Sequence, residues 1–458
     1  MIAEGSRFTS VDEAFAYIEG FTNLERKTVP REYRLDRMRF LLAEFDHPET
    51  GIQYIHVAGS KGKGSTATFI AAILQAAGHS TGLYRSPHVT GYRERITRAS
   101  VEFPDSLYVA LIERIRGRID GIRRRFGDPE KEPTTFELLT LLAFLAFRQS
   151  GCTWAVIETG IGGRLDATNV ITPAASVLTP VELEHTDILG STLRAIASEK
   201  AGIIKAGVPV FTSAQRPEVL EVFRDRASLL GSAVFSAPDE VEVLESRPSM
   251  AGTQIVIRFR DSTRISTTLR LIGAIQAENA ALAALVVRAL FPTTPASEIE
   301  QALSEAFLPG RMELISVSPP ILIDGAHTPA SIEKVAATFG RLVPADSRGI
   351  LLFAAADGKR QEEMADILAP LFPDIVVTTP GFFKPSIPEQ THRIFSLRNP
   401  AARFVPNPAK ALEEVLELSR KDDSERPILV TGSFYLVSEI RRKLIGPLRR
   451  KSDHEIPS

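Results

Sequence analysis

The chain of 458 residues has one cysteine, Cys152, and one tryptophan. A lone cysteine excludes an intrachain disulfide framework and any cysteine-based metal cage, and it is consistent with a reducing compartment. Long apolar runs are missing too: the longest, Leu138 to Phe147, falls well short of the ~20 residues a membrane-spanning helix needs. Met1 to Gly20 lacks a basic start followed by an apolar block, so no secretory signal is expected. Neither sign of charge prevails, with 54 Lys and Arg against 56 Asp and Glu, so bulk charge gives no reason to invoke nucleic acid. What remains is a cytoplasmic protein, long enough for about two or three domains, that works on neither membranes nor nucleic acid.

The segment "HVAGSKGKGSTATFIAAILQAAG", residues 56 to 78, has the order of a strand end, a glycine loop and a helix. Apolar Phe69, Ile70, Ile73, Leu74 and Ala77 share one helical face, and Gly78 stops the helix. Gly59, Gly62 and Gly64 let backbone N–H groups turn towards anionic oxygens; the helix N-terminus adds positive charge, and Lys63 can reach a terminal phosphate. Ser65 would offer its hydroxyl to Mg²⁺. The loop is GxxGKGS rather than the longer GxxxxGK[ST]. A glycine turn with a solvated lysine is the alternative reading.

Downstream, strand-like runs at Trp154 to Ile157, Ala175 to Leu178 and Val208 to Phe211 alternate with helical stretches, including Asp105 to Phe126 and the capping-box helix after Thr134. This alternation predicts an α/β fold with a parallel sheet covered on both faces. Residues 240 to 272 alternate like antiparallel strands. Near Pro309 the strand, loop and helix grammar restarts, so we expect a P-loop domain at 1–308 and a smaller α/β domain at 309–458, with the tail after about 449 disordered.

Glu158 ends an apolar strand before a glycine turn, which suits a hard cation, although a loop acid capping a helix reads the same way. His185 stands at another strand end among Glu182, Glu184 and Asp187, so a second metal site is open there; a satisfied polar histidine is the alternative. Asp324 and His327 occupy a similar loop in the second half. Arg114, Arg116, Arg118 and Arg123 to Arg125 run along one helix, either as a solvated face or as an electrostatic landing strip for an anionic ligand tail.

"GSKGKGS", "SPHV" with "ERI", "ETGIGGRLDATN", "LEHTDILG", "EKAGIIKAGVPV", "IQAENAALA", "PGRMELI" and "IDGAHTP" occur in an order that resembles folylpolyglutamate synthases and dihydrofolate synthases, which are ATP-dependent Mur ligases. The resemblance implies a Mur-ligase-like fold, in which a P-loop ATP-binding parallel-sheet domain precedes a smaller Rossmann-like C-terminal domain. It also implies the chemistry: ATP phosphorylates the carboxylate of a folate or dihydropteroate, and the amino group of L-glutamate attacks the acyl phosphate. Gly59, Gly62, Lys63, Gly64 and Ser65 would hold ATP, with Asn279 at adenine, Arg311 at the phosphates, and Asp324 with His327 closing over the nucleotide. Ser65, Ser86 and Glu158 would hold one Mg²⁺, while Glu158 and His185 would share a second. Lys200 matches a lysine carbamylated in this family, and together with Lys63 and His185 it makes up the implied catalytic set. Family members are often monomers.

The chain departs from the usual motifs at four places. Ser60 and Lys61 stand for the Thr and Asn of GTNGKGS, Ile275 for the His of an HQ pair, Glu184 for the Asp of LDH, and Thr328 for the Asn of HNP. Two other readings stay open at this stage: a Mur-type ligase acting on a cell-wall precursor, and a nucleotide-binding homologue without ligase activity.

Overall fold

The computed structural model describes residues 7–23, 35–126, 132–343, 348–381, 385–421 and 425–445, without the side chains of 123–126. The side chains of Arg123 to Arg125 and the tail after Arg449 lie outside the described residues. Contacts divide the chain into two compact units. The first is Met1–Ser246, Gln254–Arg270 and Ile275–Phe307; the second is Arg247–Thr253, Leu271–Ala274 and Leu308–Ser458.

The first unit is built on eight strands, β1 (Gln53–Ala58), β2 (Thr81–Tyr84), β3 (Ile96–Arg98), β4 (Val101–Glu102), β5 (Trp154–Glu158), β6 (Ala175–Leu178), β7 (Val210–Thr212) and β8 (Val234–Ser236). Their order is β4-β3-β2-β5-β1-β6-β7-β8. From β2 through β8 neighbours run parallel, and the strands are almost wholly buried, as a sheet covered on both faces requires. The β2–β3 and β3–β4 pairs are antiparallel, so the sheet is mixed at one edge where uniform parallel pairing was expected. A tight turn joins β3 to β4, and such a connection leaves no length for a parallel crossover.

Helices fill both faces. Residues Thr135–Gln149 form a helix buried on nearly every side, which its unbroken apolar run requires. Its start is a capping box: Thr134 Oγ1 accepts from Glu137 N at 3.2 Å, and Glu137 Oε2 accepts from Thr134 N at 2.7 Å. Glu137 also accepts from buried Arg37 at 2.8 Å, tying in the helix Leu35–Glu44. That helix and Val11–Glu19, both missed by the sequence reading, pack Met38, Leu41, Phe15 and Ile18 into the same core as Phe144 and Phe147. Arginines of the helix Asp105–Phe126 serve this packing: Arg116 lies over the Phe8 ring at 4.1 Å, and Arg118 donates to Glu44 O at 2.8 Å. Their contacts make this stretch of the arginine run structural.

Residues between Val241 and Leu269 form a separate three-stranded sheet, β9 (Val241–Ser249), β10 (Gly252–Phe259) and β11 (Arg264–Leu269), with β10 in the middle. The second unit carries β12 (Glu313–Val317), β13 (Pro320–Ile323), β14 (Ile350–Phe353), β15 (Asp374–Val377), β16 (Arg403–Phe404) and β17 (Ile428–Thr431), ordered β12-β13-β17-β14-β15-β16. All its pairs are parallel except β12 with β13, a hairpin at the edge. Leu322, Leu351, Phe353, Val377 and Leu429 make its core with helix residues such as Phe339 and Leu368. Among the described residues no helix is long and apolar enough to cross a membrane.

Candidate active site

Three central strands, β5, β1 and β6, lie side by side and parallel, so the loops that follow Ala58, Glu158 and Leu178 leave the sheet at one edge. Ligands of α/β sheets collect there. The glycine loop after β1 is held by the loop after β6: Pro180 O accepts from Ser60 N at 2.8 Å and Lys61 N at 3.2 Å. Those two N–H groups therefore serve the loop itself rather than facing an anion. The helix Lys63–Ala76 begins behind Gly62, and its first bond runs from Thr66 N to Gly62 O at 2.9 Å. The N–H groups of Lys63, Gly64 and Ser65 precede that bond and have no carbonyl one turn back. They make the anion-seeking end.

Two glycines are demanded by geometry. Gly62 has φ +81°, and a Cβ there would lie 2.4 Å from Asn279 Oδ1. At Gly59, φ +154°, a Cβ would sit 1.8 Å from Thr179 Oγ1. Asn279, buried on the helix Ala274–Leu290, is thereby packed against the loop; it accepts from Thr66 Oγ1 at 3.4 Å and donates to Gln276 Oε1 at 3.1 Å.

The lysines meet at one atom. Gly59 O accepts from Lys63 Nζ at 3.1 Å and from Lys200 Nζ at 2.7 Å. Lys200 also bonds Glu184 Oε1 at 3.1 Å, and Lys61 lies 3.8 Å from Glu184 Oε2. Burial disfavours the Glu184 carboxylate, but Lys63, Lys200, Lys61 and His185 outweigh it and hold its pKa at about 2. Lys200 is 1% exposed, and burial brings its ammonium down to about 8 despite the help of Glu184. His185 itself is exposed, in the left-handed region at φ +48°, at the start of a short helix Thr186–Leu189.

Glu158 is 3% exposed at the end of β5, and its Oε2 accepts from Ser86 N at 3.0 Å. Ser86 begins the loop that Glu94 clamps: the Glu94 carboxylate accepts from Val89 N at 2.8 Å, Thr90 N at 2.7 Å and Gly91 N at 3.2 Å. Arg95 Nε donates to His88 Nδ1 at 2.9 Å. "SPHV" and "ERI" are thus two halves of one turn. In the same way Asn169 Nδ2 donates to Arg164 O at 3.0 Å and Gly202 O at 3.1 Å, joining "GGRLDATN" to "EKAG". Between them residues 161–166, Ile188, Leu189 and Glu199 line a cavity of about 80 Å³.

In the second unit Asp324 accepts from Met312 N at 2.8 Å and Ala326 N at 2.7 Å, stapling the turn that carries Arg311 to the loop that carries His327. His327 Nδ1 donates to Gly325 O at 2.9 Å. Thr328 caps the helix Pro329–Leu342 through Ser331, a task its hydroxyl performs in place of an amide.

The Mur ligase middle domain profile matches residues 57–287, and the Mur ligase glutamate ligase domain matches residues 310–434. A dihydrofolate synthase/folylpolyglutamate synthase of Bacillus subtilis is 32% identical over 95% of this chain and 100% of its own. A folylpolyglutamate synthase of Lacticaseibacillus casei is 34% identical over 95% of this chain and 98% of its own. The chain belongs to the folylpolyglutamate and dihydrofolate synthase family of Mur ligases. Among solved structures, a Mycobacterium tuberculosis folylpolyglutamate synthase complexed with ADP and AMPPCP superimposes with a TM-score of 0.85 at 27% identity, over 95% of this chain and 99% of that one. As a member of this family the chain is an ATP-dependent, amide-forming ligase, and the ATP and Mur-ligase expectations drawn from its motifs are borne out.

Glu184 is the member of this lysine cluster that sequence reasoning did not put among the site residues. Its signal was present as three acids around one histidine, but only the bond from Lys200 singles it out. Among the described residues no cluster of three or more His, Cys, Asp or Glu could hold a cation alone. Mg²⁺ does not need one, because it commonly takes one or two carboxylates together with substrate phosphates and water. Buried Glu158, next to the Ser86 loop and one strand from the helix that starts with Lys63, fits that pattern.

Proposed function

We propose that this ligase converts the carboxylate of a dihydropteroate or folate into an acyl phosphate with ATP and joins it to the amino group of L-glutamate. The observation that carries this reading is the convergence of Lys63 and Lys200 on Gly59 O, beside Glu184, in a chain that aligns end to end with synthases of that name. A carboxylate oxygen attacks the terminal phosphorus and ADP leaves. The glutamate nitrogen then attacks the acyl carbon and phosphate leaves, so atoms balance as amide, ADP and phosphate.

The phosphoryl group in flight spreads negative charge over its oxygens, so positioning and charge dominate the catalysis. We assign Lys63, with the N–H groups of Gly64 and Ser65, to those oxygens, and Gly59 and Gly62 to the close approach of the loop. Asn279, Arg311, Asp324 and His327 are assigned to ATP. Ser65, Ser86 and Glu158 are the residues that would hold Mg²⁺, which supplies neutralising charge to the phosphates when bound; His185 is assigned with Glu158 to a second such ion. Lys200 is the residue we assign to carbamylation, since a buried amine with a pKa near 8 is partly neutral at neutral pH and only the neutral amine adds carbon dioxide. We place this activity in the cytoplasm, in a monomer with the domains divided near residue 308.

The test is phosphate release by the purified chain with Mg-ATP and L-glutamate, comparing dihydropteroate, tetrahydrofolate and no acceptor. Stimulation by dihydropteroate identifies a dihydrofolate synthase, and stimulation by tetrahydrofolate a polyglutamylating enzyme. Silence with both acceptors refutes the proposal.

A further inference from the structure

The second unit holds an aromatic ring that neither the motifs nor the ligase reading accounts for. Phe434 opens the helix Phe434–Ile445 directly after β17 and Gly432, whose φ is +98°. The Arg311 guanidinium carbon lies 4.5 Å from the centre of the Phe434 ring, and the His327 ring lies 5.5 Å from it at 57°. A Cβ on Gly325 would come within 2.2 Å of the same ring, so Phe434 rests directly on the backbone of the His327 loop.

The backbones of both loops are already fixed without it. Asp324 bridges Met312 and Ala326, Gly325 N donates to Gly310 O at 3.1 Å, and Glu313 accepts from Gly310 N at 2.8 Å while paired with buried Arg441 at 3.0 Å. Those bonds place the Cα atoms of Arg311 and His327. They do not choose among the rotamers of a long arginine, whose freedom is costly to lose at the moment of binding. An aromatic face under the guanidinium favours one placement, because the ring's negative face attracts the cation and stacks on its plane rather than on its N–H edge.

We propose that Phe434 is a positioning residue that pre-sets Arg311 and His327 for the triphosphate of ATP. This rests on the assignment of Arg311 to the nucleotide. Its test is steady-state kinetics of Phe434→Leu, Arg311→Ala and the double variant, with KM measured separately for ATP and glutamate. Phe434→Leu should raise the KM for ATP roughly tenfold and leave that for glutamate within twofold. The double variant should be no worse than Arg311→Ala, since the ring acts through the arginine, and Phe434→Tyr should behave as the parent. Should leucine at 434 disturb the fold, Phe434→Met keeps volume without the π face and makes the same comparison. If Arg311→Ala raises the KM for ATP while neither Leu nor Met at 434 does, the platform is overturned and the nucleotide assignment stands. If Arg311→Ala leaves that KM unchanged, both are overturned.

Discussion

Lys63 and Lys200 donate to a single carbonyl oxygen, that of Gly59, at 3.1 and 2.7 Å. Two ammonium groups so close repel one another, and Glu184 is the anion that makes the arrangement tolerable. It spends one oxygen on Lys200 and faces the other towards Lys61. A carboxylate held near pKa 2 is ionised at neutral pH.

Glu184→Gln keeps the shape and removes the charge. Lys200 is then buried with two cationic neighbours and no counter-charge, so its pKa should drop further below about 8. The loss in stability should be on the order of 2 kcal/mol, less than for a fully trapped charge because Lys200 can shed its proton. Urea unfolding reads the stability, and kcat/KM for ATP should fall at least tenfold. An unchanged kcat/KM would remove Glu184 from the ligase site.

Gly62→Ala tests the phosphate loop without touching a charge. The added methyl meets Asn279 Oδ1 at 2.4 Å, and alanine at φ +81° costs about 1–2 kcal/mol by itself. ATP affinity by calorimetry should fall by about two orders of magnitude in a protein with native circular dichroism. Adding Asn279→Ala relieves the clash but not the backbone, so the double variant should recover only in part. Full recovery would show that the left-handed turn is dispensable.

Glu94→Gln addresses the Ser86 loop. One carboxylate oxygen of Glu94 takes Thr90 and Gly91 N–H groups and the other takes Val89 N–H. An amide turned against any of them sets donor against donor, for a loss of about 1–3 kcal/mol. Turnover should fall with stability, since Ser86 N donates to Glu158 Oε2. Parent-like turnover in a destabilised variant would separate the clamp from the chemistry.

Local grammar made much of this legible. A strand, GKGS and a helix in sequence suffice to place Lys63 at a helix start, and Glu158 needed only an apolar strand before it and a glycine turn after. What stayed hidden depends on partners far along the chain. Ser60 and Lys61 look like phosphate-binding amides until Pro180 O is seen to accept from both N–H groups. Glu184 is indistinguishable from Glu182 until Lys200 reaches it from the helix Leu193–Ala201. The helix Val11–Glu19 shows its apolar stripe of Val11, Ala14, Phe15 and Ile18 openly and was overlooked, whereas Leu35–Glu44 buries Arg37 beside Met38, which makes sense only where Arg37 meets Glu137. Phe434 reads as an ordinary core aromatic until Arg311 and His327 are seen beside it.

His56 gives the pH prediction. It is fully buried on β1, and its Nε2 is 2.8 Å from Thr168 Oγ1. Thr168 donates its hydroxyl to Asp166 Oδ1 at 2.5 Å, so it accepts from His56, whose Nε2 therefore carries a hydrogen. Its Nδ1 is buried with no partner, and burial, helped by Lys205, keeps the pKa at about 3 against an ordinary 6.5. As pH falls through 6.5 the unfolded chain takes up a proton that the folded chain refuses until about pH 3. Stability from this group is therefore complete above 6.5 and is lost on acidification, by about 1.4 kcal/mol per pH unit. His56→Gln retains a donor towards Thr168 and does not titrate. The parent's unfolding free energy relative to this variant should fall by about 2 kcal/mol between pH 7 and pH 5. If the two stability curves stay parallel over that interval, His56 is not held neutral in the fold.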